Sequence, residues 1–183
     1  MKGTEIKDLR ARAIIDCKGK PLLEVDVITE DGVMGRGASP SGISAGEHEA
    51  MVLRDGDKNW YDGNGVYKAV EMAEKVILPA IKGLDVLDQK AVDQAMIDLD
   101  GTNNKSKLGG NTTYSTSMAV MRAACSILHV PQYKYLAEGE IKTIPLPTSD
   151  FFAGGSYEQD TMPVQECTII PYKAASIEEA TAI

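Results

Sequence analysis

Residues 22–29, Leu-Leu-Glu-Val-Asp-Val-Ile-Thr, are the stretch that most limits the fold. Leu23, Val25 and Val27 fall on one side and Glu24, Asp26 and Ile28 on the other, the two-residue period of a strand that buries one face. Asp31-Gly32 follows at once, and glycine accepts the positive φ that a tight hairpin turn requires. Residues 33–38 then read as the returning strand, and residues 4–15 as the strand that precedes both. The prediction is a three-stranded antiparallel meander.

Helical periodicity takes over beyond residue 64. Residues 65–81 set Val66, Ala69, Val70, Ala73, Val76, Ile77 and Ile81 on one stripe, and Pro79 should end or kink that helix. Asp85 is the expected N-cap of a second helix reaching Leu99, with Leu87, Ala91, Val92, Ala95 and Met96 facing inward and Gly101 closing it. Residues 111–128 are rich in Ala, Ser, Thr and Met, a composition suited to a closely packed helix, and Val130-Pro131 stops it. A short helix over 132–137 follows. Strands first and helices after them give an α+β domain with its helices on one face of the sheet.

Between sheet and helices lies a long segment, residues 39–57, dense in Gly and Ser and without the periodicity of a strand or helix before Ala50. Such composition gives a mobile backbone with many free donors and acceptors. Most such stretches are surface connectors. Long ordered loops inside a compact domain are more often lids or binding loops, and lids close over small charged ligands.

Composition removes several classes of function. A net charge of −8 argues against the basic face of a nucleic-acid binder. No apolar run spans a bilayer, and Met-Lys-Gly-Thr-Glu-Ile-Lys lacks the apolar centre of a signal peptide, so a cytoplasmic location is expected. Cys17, Cys125 and Cys167 are odd in number and far apart, which points to reduced thiols rather than disulfides or zinc. His48 and His129 have no Cys or His at ligand spacing. Gly32, Gly35 and Gly37 are followed by no helix, so they are not a dinucleotide fingerprint.

The words of the 39–57 segment are distinctive. They run Pro40-Ser41-Gly42-Ile43-Ser44-Ala45-Gly46, then His48-Glu49-Ala50, then Leu53-Arg54-Asp55-Gly56-Asp57. Asp16-Cys17-Lys18-Gly19-Lys20-Pro21 precedes them. Leu99-Asp100-Gly101-Thr102, Asn104-Lys105-Ser106-Lys107-Leu108-Gly109, Gly154-Gly155 and Gln165-Glu166 come after. In this order, over nearly all 183 residues, they resemble enolase, the phosphopyruvate hydratase of glycolysis. The resemblance implies a capping domain over 1–138, and over 139–183 the opening of a (β/α) barrel. Residues 148–152 and 164–171 would be its first two strands, and 176–183 the start of a helix. A barrel of that kind needs about 250 residues, so this one is expected to be truncated. Its two strands would have to pair with a remainder, a second chain or each other.

By the same resemblance the family reaction is dehydration of 2-phosphoglycerate to phosphoenolpyruvate. Mg²⁺ stabilises the enolate-like intermediate and a lysine acts as base. Ser44 matches the loop serine that ligates the second Mg²⁺ on closure. A neutral serine oxygen alone binds a cation poorly, and the competing reading is a turn serine. Gln165 and Glu166 match a pair that contacts substrate near the leaving hydroxyl. Glu166 would be the catalytic acid if a barrel mouth buried it and raised its pKa, and otherwise it is an ordinary exposed carboxylate. Tyr157 stands where the family has a substrate-binding histidine, and a phenol cannot carry the imidazole's charge near pH 7. Asp150, Ala153, Ile43, Ala45 and Lys18 also depart from the pattern, and Lys18 lacks an arginine's two-pronged contact.

The family's base and main carboxylate ligands come from later barrel strands, so the 183-residue chain is expected to be inactive alone. The alternative is a non-catalytic binding or assembly module built on the cap. The implied partners are a phosphorylated small acid, no nucleic acid, no membrane, and a second copy across a surface containing Arg12 and Glu24.

Overall fold

Strand β2 (Pro21–Thr29) is the centre of the sheet. The computed structural model describes residues 2–42, 46–137, 139–154, 164 and 166–182. In it β2 pairs antiparallel with β1 (Ile6–Ile15) and with β3 (Met34–Ala38), in the order β1-β2-β3. The first turn is closed by Asp16, whose Oδ1 accepts the amides of Lys18 at 2.8 Å and Lys20 at 2.7 Å. At the second turn Gly32 takes φ +81° and donates to the Thr29 carbonyl at 2.9 Å.

The predicted alternation holds. Leu23, Val25 and Val27 are fully buried and meet Ile6 and Leu9 of β1. The opposite face is polar but not loose. Asp26 is only 3% exposed, because Arg36 grips it with Nε at 2.6 Å and Nη2 at 3.0 Å while Arg12 adds a contact from the other side. Arg12 also bonds Glu24 at 2.5 Å. The Arg36 bond, set against burial and aided by Arg12, holds the Asp26 carboxyl down at about 2.

Helix α1 (Tyr67–Met72) runs through a π-helical stretch (Ala73–Ile77) into α2 (Leu78–Ile81). Pro79 accounts for that irregularity: it has no amide to give the preceding turn, and the neighbouring Leu78 amide reaches back to Ala73, five residues away. The helix nevertheless buries Ala69, Ala73, Ile77 and Ile81 as its stripe requires. Helix α3 (Gln89–Asp100) is capped by Asp88, whose side chain accepts from Ala91 at 3.1 Å, and not by Asp85. Asp85 is diverted to the sheet edge, where it bridges to Glu5 and its Oδ1 takes the Leu87 amide at 2.9 Å. Gly101 ends α3 with φ +67°.

Helix α4 (Gly110–Leu128) lies across β2 and β3. It can approach β3 because that strand offers glycines there: a Cβ on Gly35 would stand 2.0 Å from the Ala119 carbonyl oxygen, and one on Gly37 2.1 Å from that of Ser115. Helix α5 (Gln132–Leu136) follows. The sheet with helices against it is an α+β domain.

The chain divides into two compact units, residues 1–138 and 139–183. In the second, β4 (Ser149–Ala153) and β5 (Glu166–Ile169) pair with each other, antiparallel, and α6 (Ile177–Ala182) follows. Of the pairings expected for these two strands, pairing with each other is the one found. The antiparallel sense differs from the parallel strands of a regular (β/α) barrel. Among the described residues no helix is long and apolar enough to cross a membrane.

Candidate functional site

The segment from Ser39 to Asp57 has no regular secondary structure among its described residues, yet polar contacts fix both of its limbs. The buried Ser39 donates its amide to the Leu23 carbonyl at 3.0 Å, so the outgoing limb starts from the middle of the sheet. Gly42 takes φ +61°, and a Cβ there would stand 2.8 Å from Val52 Cγ2. Further on, the Gly46 amide donates to Glu49 Oε2 at 2.7 Å and the Glu49 amide to the Gly46 carbonyl at 3.1 Å, closing a turn that contains exposed His48.

The returning limb is seated on the start of α4. Gly110 donates to the Met51 carbonyl at 2.7 Å, and Met51 to the Asn104 carbonyl at 2.8 Å. The Asn111 carboxamide then pairs with Leu53 as a neighbouring strand would: Oδ1 accepts the Leu53 amide at 2.9 Å and Nδ2 donates to its carbonyl at 3.1 Å. Glycines make room for this contact. A Cβ on Gly109 would lie 2.6 Å from Leu53 Cβ, and one on Gly110 2.7 Å from Ala50 Cβ. Asp100, buried at the end of α3, holds the connection beneath by accepting the amides of Leu108 at 2.7 Å and Thr102 at 3.0 Å and the Thr102 hydroxyl. Burial pushes its carboxyl up, but the Thr102 and Leu108 bonds outweigh it and hold the group below its ordinary value.

Arg54 ties the pieces together. Its Nη1 donates to the carbonyls of Pro21 and Asn64, each at 2.8 Å, and its Nη2 to that of Ser41. Burial lowers the guanidinium from its usual value while Asp16 and Asp55 oppose the fall. Asp16 also hydrogen-bonds the Ser41 side chain, so the β1–β2 turn grips the outgoing limb; its carboxyl is held low first by the Lys20 amide. Asp55 takes the amides of Tyr67 at 3.0 Å and Lys68 at 2.8 Å, capping α1 across the loop. Beneath the segment, α3 and α4 bound a largely apolar cleft of about 450 Å³, lined by Pro40, Val52, Met96, Tyr114 and Met118 with Lys105 among its polar groups.

This arrangement immobilises the two limbs that flank residues 43–45. Ser44, the residue given to substrate and Mg²⁺ by resemblance, lies outside the described residues, as do Ile43, Ala45, Tyr157 and Gln165. Glu166 is described: it is exposed at the start of β5, opposite Ala153. Asp150 is exposed on β4 and accepts the Thr168 hydroxyl at 3.1 Å. Among the described residues no cluster of three or more His, Cys, Asp or Glu is disposed to hold a metal. Three carboxylates of the loop region, Glu49, Asp55 and Asp100, are each engaged with main-chain amides, which does not fit that task. The sequence reading passed over Arg54, Asn111 and Asp100 as working residues. Arg54 and Asp100 were present only as words of the resemblance and Asn111 only as the start of a helix, because a side chain that bonds backbone carries no periodicity.

A family model described as "Enolase, N-terminal domain" matches residues 6–136. The match spans the meander, the pinned 39–57 segment and the helices through α5, and on that ground the chain belongs to the enolase family.

Proposed function

We propose that this chain is the capping portion of an enolase-type lyase. In this reading its 39–57 segment is the lid over 2-phosphoglycerate; a lysine from barrel strands would take the proton, and Mg²⁺ held by carboxylates of those strands would supply charge stabilisation as hydroxide leaves. The observation that carries this reading is the double rooting of the segment: Arg54, Asn111 and Asp55 fix its limbs to the sheet and to two helices, as a loop that must open and close over a charged ligand needs. In this reading Ser44 would be a ligand to Mg²⁺, Gln165 and Tyr157 would contact the substrate, Glu166 would serve near the leaving hydroxyl, and residues 139–183 would be the opening of the barrel. The setting is cytoplasmic glycolysis. With the base and the main carboxylate ligands assigned to later barrel strands, and Glu49, Asp55 and Asp100 engaged with main-chain amides, the 183-residue polypeptide is expected not to turn over the substrate alone.

The test is direct. The purified 183-residue polypeptide, given 2-phosphoglycerate and excess Mg²⁺, should form no phosphoenolpyruvate, and turnover that survives repurification would refute the assignment of the chemistry to a barrel. In a protein that carries the barrel, Tyr157→His should tighten substrate binding; no change would favour a binding or assembly module, the reading supported by the departures at Asp150, Ala153 and Tyr157. The outer face of the sheet, with Arg12 and Arg36 partly exposed around Glu24 and Asp26, is the surface proposed for pairing with a second copy.

A further inference from the structure

The loop between Asp55 and α1 carries aromatic surface that the packing of the cap leaves unused. Trp60, Tyr61 and Tyr67 are 48%, 44% and 53% exposed. Trp60 meets Tyr61 edge-on at 5.4 Å between centroids, and Tyr67 at 6.4 Å with the planes tilted by 41°. Large rings gathered at the surface and rimmed by polar groups mark interaction sites.

The loop is built to hold them outward. Gly56 donates to the Gly63 carbonyl, and Gly63 to the carbonyls of Asp57 and Trp60, each at 3.0 Å. The Asn64 carboxamide donates to the Tyr61 carbonyl at 3.2 Å. Tyr61 and Asp62 both adopt left-handed backbone, φ +49° and +52°, a conformation that aspartate tolerates and a bulky tyrosine disfavours. Outliers of this kind persist where the surroundings over-determine them, and they gather at functional sites.

Charge decides what such rings would take. Tyr67 and Glu71, four residues apart, share a face of the helix, and with Asp57 and Trp60 they line an open cleft of about 550 Å³. Lys68 is turned to the Asp55 carbonyl at 2.6 Å. Glu71 is paired with Lys75 at 2.7 Å, but both side chains are well over half exposed, and such a pair exchanges readily. Along residues 55–71, Asp55, Asp57, Asp62 and Glu71 outnumber Lys58 and Lys68. Ring faces beside carboxylates attract a cation. Guanidinium suits the place better than ammonium, because it stacks flat, is weakly hydrated and presents paired donors.

We propose that this cleft is a docking site for an arginine side chain of a partner polypeptide, its guanidinium stacked against Trp60 and Tyr67 and bonded to Glu71 and Asp57. The proposal does not depend on the enolase reaction. Trp60 is the single tryptophan of the chain, so its fluorescence reports the cleft without labelling. A capped Gly-Gly-Arg-Gly-Gly peptide should change that fluorescence saturably, and the same peptide with neutral citrulline should not. Glu71→Gln and Tyr67→Ala, both at exposed positions, should each weaken the arginine peptide about two- to fivefold with unchanged circular dichroism. Equal responses to arginine and citrulline, variants that bind as the parent does, no saturable change at millimolar peptide, or a response that follows self-association of the chain would each overturn it.

Discussion

Replacing Asn111 with alanine tests whether the 39–57 segment is seated by one carboxamide. The side chain makes two bonds to Leu53, at 2.9 and 3.1 Å, and is itself buried. Each is worth about 1 kcal/mol net. Leu53 is partly buried, so its freed amide and carbonyl regain some water, and the loss should total about 2 kcal/mol. That is a sizeable share of the 5–15 kcal/mol typical of a domain, about enough to move a urea midpoint clearly without unfolding the protein. Urea denaturation gives the global figure, and amide hydrogen exchange at Leu53 locates it. Exchange there should accelerate more than at Val25 and Val27, which sit in the core. Asn111→Asp keeps the acceptor for the Leu53 amide but sets a carboxylate against the Leu53 carbonyl. The nearby start of α4 favours the charge, so its loss should be smaller than that of the alanine variant. A loss below about 0.5 kcal/mol for Asn111→Ala, within the range of an ordinary surface change, or uniform exchange across the domain, would show that Arg54 and Asp55 suffice and that Asn111 seats nothing.

Two further predictions concern the sheet. The Asp26 carboxyl, ordinarily at 3.8, lies at about 2 in the fold. A depressed group contributes stability above its unfolded value and loses it as pH falls through the folded one, so Asp26→Asn should cost about 2 kcal/mol at pH 7. The gap should close between about pH 5 and pH 2, as followed by urea midpoints at stepped pH, and a gap that does not vary with pH would refute the ion-cluster account. Gly35→Ala puts a Cβ 2.0 Å from the Ala119 carbonyl oxygen and 2.3 Å from the Ala123 nitrogen, both backbone of α4, and should cost about 3 kcal/mol or more; Gly32→Ala, whose Cβ would meet open space at φ +81°, should cost about 1–2 kcal/mol for the backbone alone, and equal urea midpoints for the two variants would refute the packing account.

The meander was legible because its information is local and repeated. Leu23, Val25 and Val27 state the buried face three times over, and Asp31-Gly32 states the turn. The helices were legible for the same reason, and Asp85 shows where that legibility ends. Asp85 and Asp88 are both competent N-caps, and the choice between them is made by the sheet edge, where the segment from Leu84 to Val86 bonds to Ile6 and Thr4. No pattern within the helix records that contact. Gly35 and Gly37 carried the same ambiguity: they could be excluded as a nucleotide loop, but their work, letting a helix backbone rest on a strand, depends on Ala119 and Ser115, far along the chain. The site was read through resemblance, which supplied Ser44, Tyr157, Gln165 and Glu166 but not the groups that hold the limbs in place.

A chain of net charge −8 is an awkward host for a phosphorylated acid unless local cations or bound metal reverse the field at the site. Around the 39–57 segment four carboxylates are engaged with the protein's own main chain. Asp16 holds the amides of Lys18 and Lys20, Glu49 that of Gly46, Asp55 those of Tyr67 and Lys68, and Asp100 those of Thr102 and Leu108. Every bond of this kind favours the ionised carboxylate. A metal ion would have to break several of them to gather a ligand set, and each break would free the loop the set is meant to serve. Asp16, Glu49, Asp55 and Asp100 therefore act as pins for the backbone of the cap, and the same commitment counts against those four as a metal cage.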